Sequence, residues 1–203
     1  MQLEKRKQAE HQRGHVSIEG EDIENVYNFV YLGNLTQGDG DDTADVTHRM
    51  NMAQARFSSL TPVWKDHRLP KSMKLRLYKA SVCSTLTHAC EAWELSTRVI
   101  KKTNGFNSRC LHMITGRSYR STATTPHFNL VKAIRRRRLR YLGHIMRMDN
   151  SRLVKRCLIA YTRGGVAPPA GSLLMDCGHM ALDEIERAAQ DRDGWRQKVA
   201  ALQ

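Results

Sequence analysis

From Thr43 onward, apolar residues recur at the spacing of a single helix face. Val46, Met50, Ala53, Phe57, Leu60 and Trp64 follow one another at alternating steps of four and three, which puts them in one stripe at 3.6 residues per turn. Arg49, Gln54, Arg56 and Ser58 fall off that stripe. Pro70 opens a second helix at its first turn, where its missing N–H costs nothing; the second stripe runs Leu75, Tyr78, Val82, Leu86, Ala89, Trp93. A third helix starts at the Ser96-Thr97 cap, carries Val99, Thr103, Phe106, Cys110 and Met113, and stops at Gly116. Three amphipathic helices joined by short links bury their stripes against one another, so the centre of the chain is expected to be a bundle.

The flanks differ. Residues 1–15 are polar and aperiodic and are expected to be a disordered or frayed tail, or a short helix. Val16-Ser17-Ile18-Glu19-Gly20 alternates and then turns, which reads as a short strand. A second strand spans Val26 to Leu35, β-branched and aromatic, with Gly33-Asn34 as its stop. Gly38-Asp39-Gly40-Asp41-Asp42 is a turn-forming loop that ends as a helix cap. Beyond the bundle, Thr125-Pro126 opens a region in which Ile134, Tyr141, Ile145 and Met148 share a face; arginines fill most of the remaining circumference. Ser151 to Tyr161 is one more short helix, residues 162–172 are a Gly/Pro linker, and the chain ends helical. The expected fold is mainly α: a helical bundle with a short N-terminal β-hairpin and a C-terminal helical tail. Its parts are a tail at 1–15, hairpin and acidic loop at 16–42, bundle at 43–120, basic helical region at 121–161, linker at 162–179 and terminal helices at 180–203. Helices are expected near 43–64, 70–94, 97–115, 126–148 and 180–202.

Charge is distributed unevenly. The net charge is +13, and residues 95–148 alone hold thirteen Lys and Arg with no Asp or Glu, while residues 21–48 hold seven acids and no Lys or Arg. A 54-residue block without counter-charge favours a polyanionic partner, for which the phosphate backbone of nucleic acid is the leading candidate. No stretch reaches the ~18 apolar residues of a membrane helix, and Met1–Lys7 lacks the apolar core of a signal peptide. A nuclear or cytoplasmic chain with reduced cysteines is expected.

In order along the chain stand Phe29-Val30-Tyr31-Leu32-Gly33, Arg49 with Ala53, Lys74-Leu75-Arg76-Leu77-Tyr78, Cys90-Glu91-Ala92-Trp93, Arg109-Cys110-Leu111 and Arg137-Arg138-Leu139-Arg140-Tyr141-Leu142-Gly143-His144. This succession resembles the region after the catalytic palm of LINE-type (non-LTR) retrotransposon reverse transcriptases. The likeness runs collinearly from about Val16 to Tyr161, and Ala189 to Arg196 is similar to that family's usual end. Each piece alone is weak; six in order are specific. The resemblance implies a primer grip at Phe29, Tyr31, Leu32 and Gly33, and a thumb-like bundle along a template–primer duplex of RNA or DNA. It also implies a basic region for nucleic acid at Lys132, Arg135, Arg136, Arg137, Arg138, Arg140, Tyr141, His144 and Arg147. The family polymerises with two metal-binding aspartate motifs, because a two-metal mechanism needs converging carboxylates. No Ala-Asp-Asp precedes Phe29, and Asp41-Asp42, the one Asp-Asp pair, reads as a loop and cap. This chain alone is expected to be catalytically inactive.

Other chemistry finds little purchase. Cys83, Cys90, Cys110, Cys157 and Cys177 form no Cys-x-x-Cys, and Cys177-Gly178-His179 has no second pair at zinc-knuckle spacing. Buried thiols are the better reading for them. No Gly-rich phosphate loop, G-x-S-x-G elbow or H-E-x-x-H helix occurs, so no cofactor, no metal and no small-molecule substrate is expected. Tyr78 and Trp93 lie on an apolar stripe and read as core. Two further functional readings compete with the fragment reading. One is a small basic regulatory DNA- or RNA-binding module with Ile134–Met148 as recognition helix. The other pairs acidic residues 21–48 with the basic block inside the molecule.

Overall fold

The structure is a computed structural model that describes residues 16–38, 42–116, 128–163, 174–178 and 180–201. It divides into two compact units, residues 1–44 and 45–203.

The first unit contains two hairpins where the sequence suggested one. Strands β1 (Ser17–Ile18) and β2 (Glu21–Asp22) pair antiparallel, as do β3 (Asn28–Tyr31) and β4 (Asn34–Gln37). Each is closed by a two-residue loop, Glu19-Gly20 and Leu32-Gly33, with positive φ at both central positions. That is the twist-matched hairpin turn, and glycine at the second position relieves half of its strain. The strand expected over 26–35 therefore folds back on itself at Leu32-Gly33. Asn28 pairs with Gln37 across the open end, and the Gln37 side-chain amide donates to Asn28 Oδ1 at 2.8 Å. Gly38 N–H donates to the Tyr27 carbonyl beyond it.

The second unit is helical. Helix α1 (Thr43–Ser59) is followed by α2 (Thr61–Lys65) and α3 (Lys71–Leu77). A π-helical turn (Tyr78–Cys83) and a last α-turn, α4 (Ser84–Leu86), continue α3 without a break. The wider π turn brings Tyr78, Val82 and Cys83 into the core together. The helix expected over 70–94 ends at Leu86, however. The chain passes through a left-handed Ala89 into a 3-10 turn at Cys90–Ala92, and Trp93 still reaches the core, where its indole N–H donates to Asp45 at 2.8 Å.

Helix α5 (Thr97–Thr115) has the ends read from sequence: the Ser96 hydroxyl accepts from Val99 N–H, and Gly116 takes the left-handed cap. Its stripe runs Val99, Thr103, Phe106, Cys110 and then steps four to Ile114; Met113 points out and is exposed. Helix α6 (Leu130–Met146) starts later than expected, with Asn129 accepting from Lys132 N–H as its cap. The proposed Thr125-Pro126 start lies outside the described residues, as do Asp41 and His179. Helices α7 (Leu153–Arg163), α8 (Leu182–Gln190) and α9 (Arg192–Ala201) complete the unit.

Two cores share one helix. The first gathers Val46, Ala53, Phe57, Trp64, Tyr78, Val82, Leu86, Trp93, Val99 and Phe106, and takes Leu130 and Ile134 from the start of α6. Phe57 stacks on Trp64 at 5.1 Å and meets Tyr78 edge-on at 6.2 Å. The second takes Leu139, Leu142, Ile145 and Met146 from the end of α6, with Leu158 of α7, Ile185 and Ala189 of α8, and Trp195 and Val199 of α9. Leu142, not Tyr141, carries the apolar seam of α6, and Tyr141 is exposed.

Candidate nucleic-acid interface

Because α6 packs on two cores, its arginine run has protein on several sides. Arg138 is fully buried, with Nε 3.2 Å from Asp176 Oδ2. Arg135 Nε lies 3.6 Å from Oδ1 of the same carboxylate. Arg137 donates to Glu91 at 3.0 Å and to the Thr87 hydroxyl at 3.1 Å. Arg136 donates to the Ala200 carbonyl at 2.6 Å, and Arg147 to the Ala189 carbonyl at 2.8 Å. Burial, and then the nearby Arg192 and Arg196, hold the Arg147 pKa below its usual value. Arg135–Arg138 are thus tied into the fold, against the sequence reading of them as a wide open cationic face. Of the α6 residues singled out, Arg135 is exposed beside its Asp176 partner, Lys132 is partly covered, and Arg140, Tyr141 and His144 are exposed. Those three fall within an arc of roughly 100° at 100° per residue, so they share a side of the helix.

Several other cations cap helix C-termini, where unsatisfied carbonyls concentrate negative potential. Lys71 Nζ donates to the Thr115 carbonyl at the end of α5. Buried Lys74 does the same for Trp64 at the end of α2. Buried Lys155 donates to the Met146 and Met148 carbonyls at the end of α6 and pairs with Glu186 at 2.8 Å. Arg147 and Arg136 serve α8 and α9 in the same way. Lys71, Lys74, Arg136, Arg147 and Lys155 therefore serve to close helices.

Helix α5 presents what the sequence reading missed. Arg98, Lys101, Lys102, Gly105, Arg109 and His112 follow at steps of three, one, three, four and three. At 100° per residue they occupy an arc of roughly 100° opposite the buried Thr103, Asn107 and Ile114. Arg98, Lys101, Arg109 and His112 are exposed, Lys102 partly so with its amine 3.3 Å from the Thr47 hydroxyl. Helix α5 has no acidic residue. The available signal was the phase of these cations against the apolar stripe; the denser run at 135–140 drew attention away from it.

The primer-grip-like residues lie in the first unit. Phe29, Tyr31 and Leu32 are all exposed, Leu32 most of all at 80%. The Phe29 and Tyr31 rings stack along one face of β3 with centroids 6.5 Å apart. Gly33 supplies the second positive φ of the turn.

Among the described residues no three His, Cys, Asp or Glu side chains gather as a metal site would. No helix among them is long and apolar enough to cross a membrane. Comparison with known protein families, curated proteins and solved structures finds no match to this chain.

Proposed function

We propose that the chain grips nucleic-acid duplex through its phosphates, as a primer-grip and thumb fragment of a LINE-type reverse transcriptase would. The observation that carries this reading is the α5 face: Arg98, Lys101, Lys102 and Arg109 stand opposite the core on a helix with no acid. Arg140, Tyr141 and His144 on α6 supply a second exposed side, with Tyr141 available to stack on an unpaired base. The ordered motifs from Phe29 to His144 support the family part of the reading.

If ~4 phosphates are neutralised, log K falls against log[salt] with a slope of about −3.6 on B-form DNA. Replacing Arg98, Lys101 and Arg109 by alanine should flatten that slope by about 0.9 per contact, with little dependence on base sequence. A folded triple variant that keeps both affinity and slope refutes the reading. The regulatory-module alternative needs α6 to lie open in a groove. It is the weaker reading, because α6 contributes Leu130 and Ile134 to one core and Leu142 and Met146 to the other.

A further inference from the structure

Arg135 and Arg138 converge on the two oxygens of one carboxylate. Arg138 Nε approaches Oδ2 of Asp176 at 3.2 Å and Arg135 Nε approaches Oδ1 at 3.6 Å. Asp176 belongs to a short turn, 174–178, closed by Cys177 N–H to the Leu174 carbonyl and Gly178 N–H to the Met175 carbonyl. The turn is lightly held. Leu174 and Cys177 rest on the second core only partly buried, and Met175 is 77% exposed. Two guanidinium groups around a pair of anionic oxygens form a fork that suits a phosphodiester as well as a carboxylate, since both carry one negative charge over two oxygens. Two cations against one anion leave the site net positive even when it is closed.

We propose that the turn at 174–178 is a self-supplied plug: Asp176 occupies a phosphate fork made by Arg135 and Arg138, and nucleic-acid phosphate displaces it. The proposal rests on the nucleic-acid reading above and adds an occupied site to it. Arg135 is 46% exposed at its side chain, so an incoming phosphate meets it first. The plug is also cheap to remove. Burial lifts the Asp176 pKa above its ordinary value more than Arg138 and Arg135 lower it, so the ionised carboxylate is held at a cost. Buried ion pairs commonly contribute little net stability for that reason.

The test uses the whole chain and a short blunt-ended DNA duplex, titrated over a salt series. Four forms are compared: wild type, D176N, D176N/R135A, and D183N as a control with the same charge change at an exposed residue that takes no part in the ion pairs of the fork. D176N should bind more tightly than D183N across the salt series, with the wild-type slope, because the same phosphates are neutralised once Asp176 is displaced. D176N/R135A should flatten the slope by about 0.9 for the lost contact, and D183N should keep the wild-type slope with only the small affinity gain of its charge change. Amide exchange on the wild-type chain supplies a reading that requires no variant to fold: saturation with duplex should speed exchange at 174–178. Equal affinities of D176N and D183N overturn the plug alone, as does unchanged exchange at 174–178 in the saturated wild type. Failure of every form to bind overturns the nucleic-acid reading and the plug together.

Discussion

Gly143 lies in the interior of α6 with the indole of Trp195 directly over it, and a Cβ there would overlap that ring. The same indole donates to the Leu139 carbonyl at 2.9 Å, which fixes α9 across α6. Glycine in a helix interior costs about 0.5–1 kcal/mol against alanine, but an overpacked core contact costs about 1–3 kcal/mol or more. The second effect wins, so G143A should lower the urea midpoint rather than raise it. At the other end of the contact, Asp191 accepts from Gly194 N–H at 3.0 Å and its carbonyl accepts from Trp195 N–H, starting α9. The Gly143-His144 and Asp191–Trp195 motifs, which entered through a family likeness, thus have a packing role in this chain. The cysteines give a second test at this scale. Burial pushes the Cys83, Cys90 and Cys110 thiols up to about 12, leaving a thiolate fraction on the order of 10⁻⁴ at pH 8. Cys177, partly buried, is raised likewise to about 12. Cys157 is exposed. A colorimetric thiol assay of the native chain should therefore show one fast-reacting group, lost in C157S; several fast groups would contradict the packing.

At the scale of elements, α6 joins the two cores, and Asp176 is held against it by Arg135 and Arg138. The Asp176 pKa is raised in the fold, chiefly by desolvation. Protonation is then easier folded than unfolded, so its contribution to stability is full below 3.8 and is lost as pH rises through the higher folded value. D176N cannot titrate. The difference in melting temperature, wild type minus D176N, should therefore fall as pH climbs from below 3.8 towards neutrality; a difference that grows would reverse the sign of the burial argument. The stripes Val46–Trp64 and Val99–Cys110 could be read in sequence because a period of 3.6 leaves few alternatives. The break after Leu86 could not, since Thr87-His88-Ala89-Cys90 contains neither Gly nor Pro. There the left-handed Ala89 accompanies a turn that lets Trp93 reach Asp45. The hairpin split was half visible: both turns end in glycine, but Leu32 resembles a strand residue until its positive φ is seen. Arg135–Arg138 were the hardest to assign. Four identical cations in a row carry no mark of which face meets protein, and the partner of Arg137, Glu91, lies 46 residues earlier in the chain.

For the whole molecule, net charge overstates what is available to a ligand. Cations at 71, 74, 136, 147 and 155 are engaged with helix C-termini, and those at 135, 137 and 138 with carboxylates. Exposed cations include Arg98, Lys101 and Arg109 on α5 and Arg140 on α6, with Lys65, Arg76, Lys79, Arg152, Arg156 and Arg187 elsewhere in the second unit. Residues 1–41 carry four Lys and Arg against eight Asp and Glu, so the remainder has a net charge of +17. Two outcomes of removing residues 1–41 can be separated. If the acidic segment only adds to the overall field, affinity for duplex at low salt rises modestly, while the number of phosphates contacted stays the same and the salt slope does not change. If that segment instead pairs with the basic block inside the molecule, its removal releases cations, and the slope steepens by about 0.9 for each one freed. Arg135, Arg137 and Arg138 already pair with carboxylates of the second unit, so the first outcome is expected. A titration of the 42–203 chain beside the full chain, over the same salt series, decides it. A slope steeper by two or more contacts would transfer the case to intramolecular pairing.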